Sequence, residues 1–463
     1  MKPPVVVIPG VTATSLKDFY PPEPEGVWGQ ISKDLLRVAL HPDDLRLEQI
    51  EPALLRPGEA LSIPYDHFAR ELRHDLSPSR DELRPVFLFG HDWRQPLAHL
   101  VDQLGEFIEE VVARTALLRH YARSDPPFTR ETGRVDLVGH SMGGLVAAGY
   151  LVSQPDHRRV RKVITLGTPY RGSFEAVLKI ITGTSGLDSG VPKSSEREVA
   201  RVTPSLYHLL PDGGLTVEEG PSELPDSLFC ADLWQRGVLE TLAEHIRQKG
   251  LEPERSRRGR LEQARALLQG MLDEARGFRE EVGTLSLADR GLSENDWMAV
   301  VGIGEETRVA LRIRDQGKKA GSYFDLTSLH RRNGYPMPPT KDGEVVAALE
   351  ETGDGTVPYW GAVPPFLDER ALVCVSPDDF GYWEIRDRFL AHHIANLHGM
   401  LPAMNQVIKL SAAFLDSEAG EPARGHPGIR ARRSPVALRK GREWTPPFRD
   451  LREKVPEGFG GVV

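Results

Sequence analysis

Ser141 stands in the string Val135-Asp136-Leu137-Val138-Gly139-His140-Ser141-Met142-Gly143-Gly144. In a chain with 44 glycines, a Gly-x-Ser-x-Gly string alone says little. Its flanks say more. The apolar run 135–138 predicts a strand, and Leu145-Val146-Ala147-Ala148 predicts a helix behind the serine. A strand, a sharp turn and a helix together lift a serine hydroxyl clear of a sheet for nucleophilic attack. Gly139 and Gly143 leave room for the turn, and the helix would direct its positive end toward the developing charge. The plain alternative is a glycine-rich connection with an idle serine.

A hydroxyl needs a base to take its proton. Behind such an elbow the chain order is serine, acid, histidine, so the base belongs late in the sequence. His392, His393 and His398 follow the last predicted strand. His398 lies in a turn-like stretch ahead of the run Val407-Ile408-Lys409-Leu410 and is the expected base. His392 and His393 sit in a more helical pattern and read as packing or capping residues. The acid must fix the imidazole tautomer and stabilise its charged form. Asp354, between Gly353 and Gly355, can be aimed by a tight loop, although an Asp-Gly turn is common by itself. Glu305 and Glu306 compete from the end of another predicted strand, as do Asp378 and Asp379. Two backbone amides must receive the oxyanion. We expect Met142 and Val11, the latter from Pro9-Gly10-Val11-Thr12, with Thr12 as its alternative.

The elements that must carry these residues are apolar runs at 5–8, 86–89, 135–138, 160–166, 297–303 and 372–375. Unbroken runs fit strands buried on both faces of a mostly parallel sheet. Val101, Leu104, Ile108 and Val111 recur at helical spacing between them, as do Leu261, Ala264, Leu268, Leu272 and Ala275. Alternating strands and helices define an α/β fold. About 75 residues separate the first two strands, and a longer gap follows Leu166. Both exceed ordinary connections and carry helical periodicity. We therefore expect cap insertions at about 17–80 and 175–295, above the strand ends where ligands bind. The main domain is expected over 1–418. Residues 419–463 read as a basic, Pro- and Gly-containing tail that is surface-lying or mobile.

The chain has 463 residues, 40% hydrophobic and 27% charged, as expected for a globular protein. From Gly420 onward ten Lys/Arg face five Asp/Glu, a balance of +5, which leaves −14 on the rest of a chain of net charge −9. An acidic chain argues against nucleic acid as partner. The clustered tail cations can dock on an anionic membrane at about 1 kcal/mol each, or simply stay solvated. Cys230 and Cys374 are too few for a disulfide framework, which points to a reducing compartment. With no signal-type apolar stretch and no run of ~18 apolar residues, a cytoplasmic protein without a membrane span is expected. No zinc or phosphate-loop motif occurs, so neither metal nor cofactor is expected.

Several short motifs, in order, resemble the lecithin:cholesterol acyltransferase family. Val5–Leu16 is similar to its opening strand and oxyanion loop. Phe89-Gly90-His91-Asp92-Trp93-Arg94 resembles a Tyr-Asp-Trp-Arg element, with His91 in place of the tyrosine. Gly139–Gly144 resembles its elbow, Leu166–Ser173 the strand end that follows, and Ser205–Pro211 a cap element. Gly353-Asp354-Gly355-Thr356-Val357-Pro358 resembles the loop of its catalytic aspartate, which favours Asp354 over Glu305. The resemblance implies an α/β-hydrolase core, a Ser141-Asp354-His398 triad and an acyl group resting on Ser141 before water or an alcohol collects it. It also implies a lipid-type ester as donor. Thr12, His140, Asp92, Trp93 and Tyr170 are expected around the pocket, with Asp92 and Trp93 as wall or structural residues. The expected function is thus a serine acyl-ester hydrolase or O-acyltransferase. The alternatives are a lipase or carboxylesterase on neutral or short esters, and a non-catalytic binding protein of the same fold.

Overall fold

The computed structural model describes residues 2–29, 33–154, 157–184, 194–220, 223–317, 321–329, 351–381, 384 and 396–454. Six strands build its central sheet: β1 (Val5–Ile8), β2 (Val86–Leu88), β3 (Val135–His140), β4 (Val160–Leu166), β5 (Trp297–Gly302) and β6 (Val373–Val375). They lie in the order β6-β5-β4-β3-β1-β2, and every neighbouring pair is parallel. Each strand begins and ends within about two residues of the expected apolar runs.

The runs are unbroken because both faces of the sheet are covered. Val6, Ile8, Leu137 and Val301 point into one core, whereas Val5, Val7, Val138 and Val300 point into the other. Side chains alternate along a strand, so only apolar residues at every position can fill two cores. On the second face lie α1 (His67–Leu76) and, later in the chain, Asn405–Asp416, which presents Val407, Ile408, Leu410 and Phe414. On the first face lie α2 (Leu97–Ala116), α3 (Met142–Ser153) and α4 (Arg257–Gly283). Helix α3 is apolar all round and buried over Met142–Leu151, wedged between the sheet, α2 and α4.

The connection β1 to β2 runs to one side of β1, and β3 returns to the other side. The connections leaving β1 and β3 therefore run to opposite sides, the switch point at which open parallel sheets bind ligands. This is the α/β-hydrolase arrangement, a parallel sheet with a sharp turn carrying Ser141 between β3 and α3. The two long gaps hold structure of their own. The first folds an antiparallel sheet of Thr14–Asp18, Glu25–Trp28 and Leu55–Ala60. The second holds the helices Phe174–Thr182, Ser194–Arg201, Pro204–His208 and Arg236–Lys249 as well as α4.

The end of the chain departs from the expected solvated or mobile tail. Ala423, Ile429, Ala431 and Phe448 are buried in the second core. Arg432 pairs its backbone with Cys374 of β6 in both directions, at 2.8 and 3.0 Å. Its guanidinium meets the Asp379 carboxylate at 3.2 Å while both are buried. The basic count predicted solvation, but scattered apolar residues and one buried ion pair stitch residues 419–454 to the sheet edge.

Candidate active site

Ser141 sits between β3 and α3 with φ 54° and ψ −126°, a conformation that side-chain-bearing residues rarely adopt. Its amide donates to the Leu166 carbonyl at 2.8 Å, which anchors the turn on β4. Gly143 is required by a close approach, because a Cβ there would collide with the Ile8 carbonyl oxygen. Gly10 is similar: a Cβ would lie 2.9 Å from that of Ser141. The turns after β1 and β3 are thus in contact.

The Ser141 hydroxyl lies 2.9 Å from His398 Nε2, and His398 Nδ1 lies 2.7 Å from Asp354 Oδ2. All three side chains are buried, with residue exposures of 5%, 5% and 1% for Ser141, His398 and Asp354. A carboxylate only accepts, so Nδ1 carries the imidazole hydrogen and Nε2 is left as an acceptor facing the Ser141 hydroxyl. Asp354 is held on its other oxygen: Oδ1 accepts the amides of Thr356 at 3.0 Å and Val357 at 2.7 Å. The Asp354 loop also docks on His398 through its backbone, with His398 N donating to Asp354 O at 2.9 Å. His398 belongs to α5 (Asn396–Met400), the short helix ahead of α6 (Asn405–Asp416).

The competing acids are engaged elsewhere. Glu305 donates its amide to the Gly353 carbonyl at 3.1 Å and so braces the Asp354 loop. Asp379 caps the short helix Pro377–Asp379 and binds Arg432. His392 and His393 lie outside the described residues. Among the described residues no cluster of three or more His, Cys, Asp and Glu groups could hold a metal ion.

The Val11 and Met142 amides donate to no acceptor among the described residues, whereas Gly10 N is taken by the Tyr65 hydroxyl at 3.0 Å. Val11 follows Gly10 in the turn that touches Ser141, and Met142 is the first residue of α3. Thr12 has φ 62° in the same turn. Trp28 Nε1 donates to its carbonyl at 3.0 Å, which ties the small antiparallel sheet to the site.

A cavity of about 230 Å³ opens beside Thr12. Trp28, Trp93, Leu35, Leu61, Val199 and Leu206 supply its apolar wall. The two indoles meet at 5.0 Å. Lys179 and Glu196, an ion pair at 3.0 Å, form its polar side. Of the residues expected around a pocket, Thr12 and Trp93 line this cavity, whereas Asp92, His140 and Tyr170 do not. Asp92 is committed to Arg94, with contacts of 2.8 and 2.6 Å, and Arg94 reaches on to the Val38 carbonyl and Glu48. Tyr170 packs edge-on against Phe366. His140 is turned behind the triad, with Nδ1 2.6 Å from the Tyr65 hydroxyl and Nε2 2.9 Å from the His398 carbonyl. Burial, with His398 adding a little, drives its pKa down to about 3, so it is neutral at ordinary pH. Sequence reasoning missed Tyr65, because its only local signal is a tyrosine in a polar stretch.

The model of the lecithin:cholesterol acyltransferase family matches residues 125–233. Over that segment, less than a quarter of its length, the chain is similar to this family. The matched segment carries β3, Ser141, α3, β4 and the helices to Leu233, and it ends before Asp354 and His398. A chain in the crystal structure of the Tle4–Tli4 complex is similar at 15% identity, over 78% of this chain and 89% of its own, with a TM-score of 0.49. The product of lin2722 from Listeria innocua is similar at 13% identity over 48% of this chain and 72% of its own, with a TM-score of 0.19. No curated protein matches the chain. The fold assignment therefore rests on this chain's own sheet order and elbow. Among the described residues no helix is long and apolar enough to cross a membrane.

Proposed function

We propose that this chain is a serine-dependent acyl-ester hydrolase or O-acyltransferase that acts on lipid-type esters through an acyl-Ser141 intermediate. The observation that carries the reading is the hydrogen-bonded line from Ser141 through His398 to Asp354, 2.9 and then 2.7 Å long, at a strained turn. His398 Nε2 takes the hydroxyl proton as Ser141 Oγ bonds to the ester carbonyl carbon. Asp354 stabilises the imidazolium and holds its tautomer. The Val11 and Met142 amides receive the oxyanion, supported by the positive end of α3. His398 then returns the proton to the departing alcohol, and water or a second alcohol releases the acyl group by the same steps. The family match supports a lipid ester as the substrate class.

In this reading the two insertions are a cap. Trp28 and Leu61 from the first, with Val199 and Leu206 from the second, give the acyl chain an apolar berth at Thr12. The modest cavity favours a second reading, an esterase of short or medium chains. Hydrolysis of p-nitrophenyl esters of rising chain length, with and without an alcohol acceptor, separates the two. A fluorophosphonate should label the protein covalently on Ser141. No labelling of the folded protein would overturn both readings.

A further inference from the structure

Tyr65 takes no part in the chemistry proposed above, yet it touches the loops that meet at Ser141. It lies in the π-helical turn Ser62–Asp66, with only 2% of its surface exposed. Its oxygen accepts the Gly10 amide at 3.0 Å, and it stands 2.6 Å from His140 Nδ1. On the far side of that ring, His140 Nε2 is 2.9 Å from the His398 carbonyl oxygen. Chemistry allows only one direction for this chain. A carbonyl can only accept, so His140 Nε2 carries the hydrogen, Nδ1 is bare, and the tyrosine hydroxyl donates to it. Its own oxygen is then free for the Gly10 N–H.

We propose that Tyr65 and His140 are positioning residues, which hold the Gly10–Thr12 turn and the backbone of His398 in register with Ser141. The proposal rests on the acyl-Ser141 reading and adds two side chains that touch no substrate. Three observations carry it. The chain ends on backbone groups of two different site loops, and its middle member adjoins the nucleophile. Gly10 N is pinned while Gly10 O accepts the Ala13 amide at 3.3 Å, so the turn that presents Val11 is fixed at both ends. The rings of His140 and His398 lie 5.0 Å apart at 37°, so His140 also buttresses the plane of the base. Apolar side chains of the same size would fill this space without burying a hydroxyl and an imidazole, groups that must be paired to be tolerated. What the polar pair adds is direction, and an error of about 1 Å in such a site can cost a hundredfold in rate.

The test is steady-state hydrolysis of p-nitrophenyl butyrate by the full chain, alongside melting curves. Y65F should lower kcat ten- to a hundredfold and leave KM within about threefold, because the loss lies in the transition state. H140L should lose as much. H140Q, whose amide can accept from Tyr65 and donate to the His398 carbonyl, should recover at least tenfold over H140L. A folded Y65F with kcat within twofold of the parent overturns the proposal. So does an H140Q no faster than H140L when both melt near the parent, and this pair decides the matter if Y65F does not fold. A parent that neither hydrolyses the ester nor takes up a fluorophosphonate removes the acyl-Ser141 reading first, a failure distinct from these.

Discussion

The backbone at Ser141, φ 54° and ψ −126°, lies where a residue with a side chain costs about 1–3 kcal/mol. The turn survives because the Leu166 carbonyl holds its amide and close glycine contacts leave no relaxed alternative. Strain so placed presents the hydroxyl to the His398 ring. S141A should therefore reduce esterase activity by about 10⁴-fold or more, with a melting temperature within about 2 °C of the parent. H398A should lose as much, since triad members act as a unit, and D354N should fall by about 10⁴-fold through loss of the tautomer lock. Steady-state rates and calorimetry check this set, and an active H398A would return the base to one of the other histidines. These three residues were legible because glycines and turns mark their positions. Asp354 was singled out from Glu305 and Asp379 only by its motif. The structure gives a physical reason: the carboxylate of Asp354 points at the ring, whereas that of Asp379 is spent on Arg432.

Helix α3 must start against β1, and this is a matter of element packing. Gly143 faces the Ile8 carbonyl so closely that a methyl group has no room, and that carbonyl belongs to a central strand that cannot move alone. G143A should cost about 1–3 kcal/mol by overpacking. It should also reduce activity more than that instability explains, because the start of α3 carries the Met142 amide. Urea unfolding together with kcat measures both effects, and a variant of parental stability and rate would contradict the close contact. The strands themselves were plain in the sequence, since a strand buried on two faces must be apolar throughout. The small antiparallel sheet over 14–60 was not, because its strands are short, half-exposed and interrupted by Pro57 and Gly58.

At the scale of the whole molecule two expectations concern stability. His91, His140 and His208 are all buried, and burial pushes their pKa values down to about 4, 3 and 3. A secondary push comes from His398 on His140 and from Arg279 on His208, while the Phe89 carbonyl opposes the shift at His91. In the unfolded chain each returns to about 6.5, so between that value and the folded one the unfolded state binds more protons. Their effect is absent above about pH 6.5 and destabilises progressively below it, by about 2 kcal/mol each at pH 5. The drop in melting temperature from pH 7 to pH 5 should shrink in H208L, because neither ring nitrogen of His208 has a hydrogen-bond partner among the described residues. An unchanged drop would refute a neutral buried His208. The second expectation concerns the chain end. Removal of residues 420–463 strips Ala423, Ile429, Ala431 and Phe448 from the second core and Arg432 from the edge of β6. The truncated chain should melt at least several degrees lower or aggregate. If it melted like the parent, the segment would be an appendage after all.

The amino-acid sequence alone determined the alternation of strands and helices, the sharp turn at Ser141, and the order in which Ser141, Asp354 and His398 follow one another. These are local properties, carried by apolar periodicity and by glycines at tight turns. Tertiary structure alone decided how Asp354 and His398 meet Ser141, which expected pocket residues line a cavity, and that apolar residues of the basic chain end pack into the second core. It also decided that Tyr65, 76 residues before Ser141, stands behind it. Such outcomes depend on contacts between segments far apart in the chain, where the spacing of residue types carries no record of which groups will touch.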